Sequence, residues 1–291
     1  QAARVSYGKG TTKLSQDRGL IRYLMRHRHT TPFEMVEFKF HCKMPIFVAR
    51  QWVRHRTANI NEYSLRYSEA RDEFYYPDPD NIEFQSALNK QGRMGEVDSE
   101  LKQKVQRYFK EISERSFEIY SELNEAGVAR ELARAVLPVN LYTEWYWKND
   151  LHNLLHFIGL RSDGHAQYEI RVFSDAMASF VKEVAPFAWE AYQDYVVKGM
   201  RFSKIEQNLL ERKLPDRVID DIQEDVAYLL TASLHANKPR SDEDLFPLYK
   251  DQGGSDSLDD FNLKWSSGEI DTGNVRELRE FKSKIETLRQ S

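Results

Sequence analysis

EFKFHCKMPIFVARQWVRHRTANINEYSLRYS, residues 37–68, changes periodicity once, and that change decides what kind of fold the chain can have. Phe38, Phe40, Cys42 and Met44 alternate with Glu37, Lys39, His41 and Lys43. Successive side chains of a strand point to opposite faces, so this half predicts a half-buried strand. Pro45 then opens a run in which Val48, Ala49, Trp52 and Val53 recur at helical spacing, with Arg50 and Arg54 stacked four apart on the other side. Beyond the helix, Arg54, His55, Arg56 and Arg66 face a single carboxylate, Glu62, within residues 54–68. A solvated basic face is the plain reading of such a stretch. Yet Trp52 and its apolar neighbours tie the helix to a core, where clustered guanidiniums are costly without partners. Arginine forks match phosphate oxygens two at a time, so a small phosphorylated molecule would account for the cluster. Composition alone goes no further.

Working outward, Leu20, Ile21, Tyr23, Leu24 and Met25 give residues 14–29 the pattern of an amphipathic helix. Thr30 to Glu34 reads as a short capped turn, with Thr31 as cap, Pro32 at the first helical position and Glu34 reaching back. Glu73 to Pro77 suggests another strand, ending at Pro77 and Pro79. Ser99 to Leu123 predicts a long helix with Val105, Tyr108, Ile112, Ile119, Tyr120 and Leu123 inward and Gly127 beyond its end. Further helices are expected over 129–137, stopping before Pro138, over WKNDLHNLLHFIGL (147–160), and from His165 to Val184. Strands in front and helices behind predict an α+β fold, a mixed sheet with a helical layer, over residues 1–202. Residues 203–291 form a C-terminal extension: helical over 203–234, rich in Asp, Ser, Gly and Pro over 236–274, and ending in a polar helix.

Composition bounds the function. The chain has 291 residues, 41% of them hydrophobic and 12% aromatic, enough for a sizeable core. A net charge of -4 argues against a nucleic-acid coat, though not against a local basic pocket. The one cysteine, Cys42, cannot form an intrachain disulfide, and its place in the alternation makes it a buried, inert thiol. No apolar run approaches the roughly 20 residues that span a bilayer, and no leader pattern is visible from Gln1, so a cytoplasmic protein is expected. The usual phosphate devices are missing: no G-x-G-x-x-G occurs, and Gly8-Lys9-Gly10-Thr11 lacks the earlier glycine of a P-loop. His152 and His156 lie four apart with His165 beyond, a metal-like spacing, but no glutamate intervenes as in H-E-x-x-H. They read as structural or ligand-contacting histidines, and no metal is expected. Ser64 has no G-x-S-x-G elbow around it.

Arg54-His55-Arg56, seven residues, then Ser64 and Arg66-Tyr67 resemble the signature of the flavin-dependent thymidylate synthases. HTTPFE, FVARQWVRHR, ARAVLPVNLYTEWYW and LRSDGHAQYEIR resemble further blocks of that family, in its order, from about Ala2 to Phe202. The resemblance implies conversion of dUMP to dTMP. Carbon would come from 5,10-methylenetetrahydrofolate and reducing equivalents from NADPH through FAD, with no enzyme cysteine as nucleophile. It implies a homotetramer with active sites shared between subunits, and a first strand ahead of Ala2. By the match, Gln51, Arg54, Glu62, Ser64, Arg66, Arg134 and Arg161 would contact dUMP. Thr31, Arg54, His55, Arg56, Glu62, Asp150, His152 and His156 would hold FAD, with His29 beside the flavin. Arg161 would favour the ionised uracil N3, and Arg161 and His29 are the catalytic candidates. Asp150 fits a diphosphate poorly and is expected to face the adenosine or a backbone group. The competing reading from the basic loop alone is a non-catalytic nucleotide- or RNA-binding module.

Overall fold

The alternation over residues 37–44 becomes strand β1 (Glu37–Pro45), buried at Cys42, Met44 and Pro45 and open on the Glu37, Lys39, His41 and Lys43 face. This is seen in a computed structural model of the chain, which describes residues 1–8, 14–87, 92–213 and a few positions beyond. The chain divides into two compact units, Gln1–Gly199 and Met200–Ser291.

In the first unit β1 passes into α3 (Ile46–Trp52), and β2 (Asn59–Glu62) follows after the basic loop. Strand β5 (Tyr142–Asp150) lies between β1 and β2, antiparallel to both, and pairs Glu37 with Asp150 and Glu62 with Trp145 at the ends of the ladders. Helices α1 (Leu14–Arg26), α6 (Leu151–Arg161), α7 (Tyr168–Val184) and α8 (Pro186–Tyr192) contribute Leu24, Leu154, Phe157, Ile170, Val181 and Ala188 to a core shared with the sheet. At its centre Trp52 has no exposure and stacks on Phe157 at 4.9 Å, with Trp145 and Trp147 edge-on at 5.5 and 5.4 Å. Buried aromatics dominate core energetics, and truncating one to alanine costs about 3–5 kcal/mol. The end of α3 is thereby immobilised at the residue before the basic loop begins.

The long helix α4 (Ser99–Glu125) starts at an Asp98 cap that accepts from Leu101 N–H, and Gly127 follows it with φ +81°, a conformation that suits glycine. It forms a second core with Tyr120, Ala70, Ala133 and Leu141, beside α5 (Arg130–Ala133). Strands β3 (Glu83–Gln85) and β4 (Arg93–Glu96) make a separate antiparallel pair.

The α+β expectation holds, and every described strand pair is antiparallel. Several local expectations fail. Residues 147–150 belong to β5 rather than to a helix, because α6 starts only after the Asp150 cap. Residues 73–77 form no strand; Phe74 makes an isolated bridge to Leu141. Tyr108 and Ile112 point outward, 51% and 55% exposed, beside a cleft of about 560 Å³. Val53 is 43% exposed, since α3 has ended at Trp52. The cap of α2 (Thr31–Glu34) is Thr30, in helical geometry and without a side-chain bond, so the reciprocal capping expected of Thr31 and Glu34 does not form. Helix α7 begins at Tyr168, three residues later than His165.

In the second unit α9 (Lys204–Lys213) opens with a reciprocal cap: Ser203 N–H donates to the Glu206 carboxylate at 2.6 Å, and Glu206 N–H to Ser203 Oγ at 3.3 Å. The 236–274 segment and most of the predicted terminal helix lie outside the described residues, as do Lys9, Gly10 and Thr11.

Candidate active site

Packing of Trp52 fixes where α3 stops, and the chain then turns out into solvent. Arg50, Arg54 and Arg56 are exposed, and none of their side chains has an ion-pair or hydrogen-bond partner among the described residues. That sets them apart from Arg66, Arg71, Arg93 and Arg130, each of which meets a carboxylate. Gln51, between the first two, has its side-chain oxygen buried without a partner. Unsatisfied buried acceptors are rare, and this one falls in a stretch of sequence, residues 50–56, that also carries three guanidiniums without a partner among the described residues.

The loop lies against α6. Arg161, at the end of that helix, donates from Nε to His55 Nε2 at 2.9 Å. Acceptance at Nε2 requires the neutral ring with its proton on Nδ1. Burial first, then the Arg161 and His156 charges, lower the His55 pKa to about 4, so the ring stays neutral at ordinary pH. Burial also lowers the Arg161 pKa. His55 takes only Nε of that guanidinium, and its two terminal nitrogens have no other hydrogen bond among the described residues. The His156 ring stands 6.2 Å from that of His55, and Phe157 packs on His55 edge-on at 4.9 Å.

At the other end of α6, Asp150 caps the helix. Its carboxylate accepts from Asn153 N–H at 2.9 Å and from Asn153 Nδ2 at 2.7 Å. This occupies the charge that sits awkwardly beside a diphosphate and turns it onto backbone and amide donors. Thr57, in the basic loop, donates to Asn153 Oδ1 at 2.9 Å. His152 is half-buried in the same first turn. Helix α2, which begins at Thr31, is tied to α6 through Leu151 N–H donating to Val36 C=O at 2.7 Å. His29, just ahead of α2, is exposed, with its ring 5.8 Å from Tyr23 and 6.4 Å from His27.

The remaining expected residues form a second group. Glu62, at the end of β2, accepts from Thr143 Oγ at 2.7 Å. Ser64 Oγ accepts from Arg66 N–H at 3.3 Å. Arg66 pairs with the Glu131 carboxylate at 3.0 Å, and Arg134 Nε donates to the Glu131 carbonyl at 3.4 Å, so α5 gathers both arginines. Among the described residues no hydrogen bond or ion pair joins this group to His55, His156 or Arg161. Two surface clefts of about 610 and 560 Å³ include none of the expected site residues in their linings. Cys42 is buried, and burial pushes its thiol up to about 11, which leaves very little thiolate near neutrality.

Sequence reasoning missed Thr57, Asn153, Thr143 and Glu131. The first three are short, uncharged polar side chains, and nothing in their own chemistry marks them out beside charged neighbours. Glu131 offered only a charge near Arg130 and Arg134.

Residues 1–187 match the family model described as thymidylate synthase complementing protein. A protein named flavin-dependent thymidylate synthase from Rickettsia conorii is 52% identical over 227 residues, 74% of this chain and 77% of its own length. One of the same name from Ehrlichia ruminantium (strain Gardel) is 56% identical over 204 residues, 70% of this chain and 69% of its own. The crystal structure of the UMP/dUMP methylase PolB from Streptomyces cacaoi, bound with 5-Br dUMP, aligns at a TM-score of 0.61. It is 35% identical and covers 66% of this chain and 87% of that one. Identity of that extent over such lengths makes the chain a member of the flavin-dependent thymidylate synthase family of enzymes.

Proposed function

We propose that this enzyme methylates C5 of the dUMP uracil to give dTMP. 5,10-Methylenetetrahydrofolate would be the carbon donor and NADPH the reductant, by way of FAD. The observation that carries the reading is the junction at the end of α3: the side chains of Arg50, Arg54 and Arg56 have no partner among the described residues, and His55 between the last two holds an Arg161 whose guanidinium is only partly used. When bound, FAD supplies the redox chemistry that no side chain here provides. The side chains have the other tasks. Arg54 and Arg56 would take phosphate oxygens, with Gln51 Oε1 as a ready acceptor for a ligand N–H. Thr31, Glu62, Asp150, His152 and His156 stand as further FAD contacts, and Glu62, Ser64, Arg66 and Arg134 as dUMP contacts. His29 keeps its role beside the flavin.

Arg161 is the catalytic group of this proposal. Neutral His55 accepts at Nε and turns the terminal nitrogens outward. A guanidinium held there, at a site partly withdrawn from water, would lower the uracil N3 pKa and make the ring a better carbon nucleophile. The thiol of Cys42 is buried and protonated, which supports a route without enzyme cysteine.

We further propose a homotetramer, in which the Arg161 group of one chain and the Arg66–Arg134 group of another complete each site. The chemistry is assigned to residues 1–202, and the 203–291 extension takes no part in it.

Purified protein should be yellow, bleach with NADPH, and form dTMP only with dUMP and methylenetetrahydrofolate present. Arg161→Ala should fold and keep its colour while dTMP formation falls by roughly 10²-fold or more. A colourless protein that binds polynucleotide in a salt-sensitive way would replace this reading with the binding-module one.

A further inference from the structure

The basic loop must do two things that conflict. Its guanidiniums have to remain free for ligand, and its backbone has to be held although those same side chains anchor nothing. The loop leaves α3 at Trp52 and enters β2 at Asn59. Between these points its side chains reach the rest of the fold through uncharged atoms. At one end of α6, Arg161 Nε donates to His55 Nε2 at 2.9 Å. At the other end, Thr57 Oγ donates to Asn153 Oδ1 at 2.9 Å. Asn153 is itself oriented: its amide Nδ2 donates to Asp150 at 2.7 Å and its backbone N–H to the other carboxylate oxygen at 2.9 Å.

We propose that Asn153 and Thr57 are positioning residues for ligand binding, a relay from the α6 cap that sets the orientation of the loop bearing Arg54 and Arg56. The argument is one of alternatives. With donation to Asp150 fixing which way round the amide lies, Oδ1 is left as an acceptor facing the loop. The Thr57 hydroxyl spends its one proton on Asn153 Oδ1, so the tether leaves the arginine N–H groups free for phosphate. Arg56 lies between the two tethered residues, His55 and Thr57, and Arg54 directly precedes them, so both inherit the backbone geometry the tethers impose. Preorganised charge binds better than charge that must be ordered at the moment of binding. The Asp150 carboxylate is spent on this orientation, which gives it a use beside an anion site. The inference rests on the proposed function, since it takes FAD and dUMP as the anions bound.

Thr57 is exposed, so its substitution leaves the core untouched. Affinities for FAD and for dUMP should be measured by calorimetry on the wild type, Thr57→Ser, Thr57→Val and Asn153→Ala, alongside thermal midpoints. Thr57→Val should weaken FAD binding roughly three- to tenfold at an unchanged midpoint, while Thr57→Ser, which keeps the hydroxyl, stays within about twofold. At saturating ligand kcat should be retained, with the loss appearing in KM. The double variant Thr57→Val with Asn153→Ala should bind no more weakly than Asn153→Ala alone, as expected of two residues in one relay. Unchanged affinity in Thr57→Val would overturn the inference while leaving the function standing. Wild-type protein that binds neither FAD nor dUMP would overturn the function itself, and the inference with it.

Discussion

His55 shows how one side chain can be set by its surroundings to do work that its free form would not. Its ring is packed against Phe157, faces the Arg161 and His156 charges, and accepts a hydrogen bond that only the neutral form can take. Folding therefore lowers its pKa from about 6.5 to about 4. A proton bound more weakly in the folded than in the unfolded state destabilises the fold as pH drops. The His55 contribution is fully present above pH 6.5 and is lost progressively as pH falls from there through 4. His55→Gln, which keeps an acceptor but cannot be protonated in this range, should flatten that part of the acid limb. Thermal midpoints between pH 7 and 4 for the two proteins provide the comparison. A parallel decline in both would mean that the Arg161 bond is not what titrates.

Elements differed in how far the sequence revealed them, and the reasons are physical. Strand β1 was legible because its exposed residues are charged and its buried ones apolar. Strand β5 has the same alternation of burial, but Tyr146 occupies its open face while Trp145 and Trp147 fill the closed one. Large aromatics on both sides erase the contrast that periodicity depends on. The basic loop was legible from its imbalance of charge. Its tethers were not: His55 and Arg161 are 106 residues apart, Thr57 and Asn153 96 apart, and neither pair carries opposite charges.

The β3–β4 pair was likewise invisible, though it has a clear anchor. From β4, Arg93 makes two bonds, of 2.7 and 2.8 Å, to Glu169 in the first turn of α7, whose side chain is only 4% exposed. Tyr75 and Gln167 donate to the same carboxylate. Burial pushes the Glu169 pKa up, but these bonds outweigh it and hold the group below the usual carboxylate range. Arg93→Met would leave the buried charge with its neutral donors alone and should cost about 2–3 kcal/mol in urea unfolding, since the arginine itself is partly exposed. Adding Glu169→Gln should recover part of that loss. A double variant as unstable as the sum of the singles would mean that the two side chains act independently.

At the scale of the whole molecule, the expected ligand residues of one chain fall into two groups that no hydrogen bond or ion pair joins among the described residues. Around α6 stand His55, His156 and Arg161, beside the loop of Arg54 and Arg56. Around α5 stand Arg66 and Arg134, both drawn to Glu131. If each site takes one group from one protomer and the other from its neighbour, the two kinds of damage are separable. Arg161→Ala and Arg134→Ala should each be inactive as pure assemblies. Co-expressed, they would form hybrids in which some sites combine an intact Arg161 with an intact Arg134, about a quarter of sites for random mixing in a closed oligomer. Co-expression should thus restore dTMP formation to roughly that fraction of wild type, whereas mixing the purified proteins without exchange should restore none. Activity that stays at the level of the single variants, with hybrids verified by mass spectrometry of differently tagged chains, would place both arginines in the same protomer's site. The catalytic unit would then be the single chain, and the two groups would have to meet by movement within it.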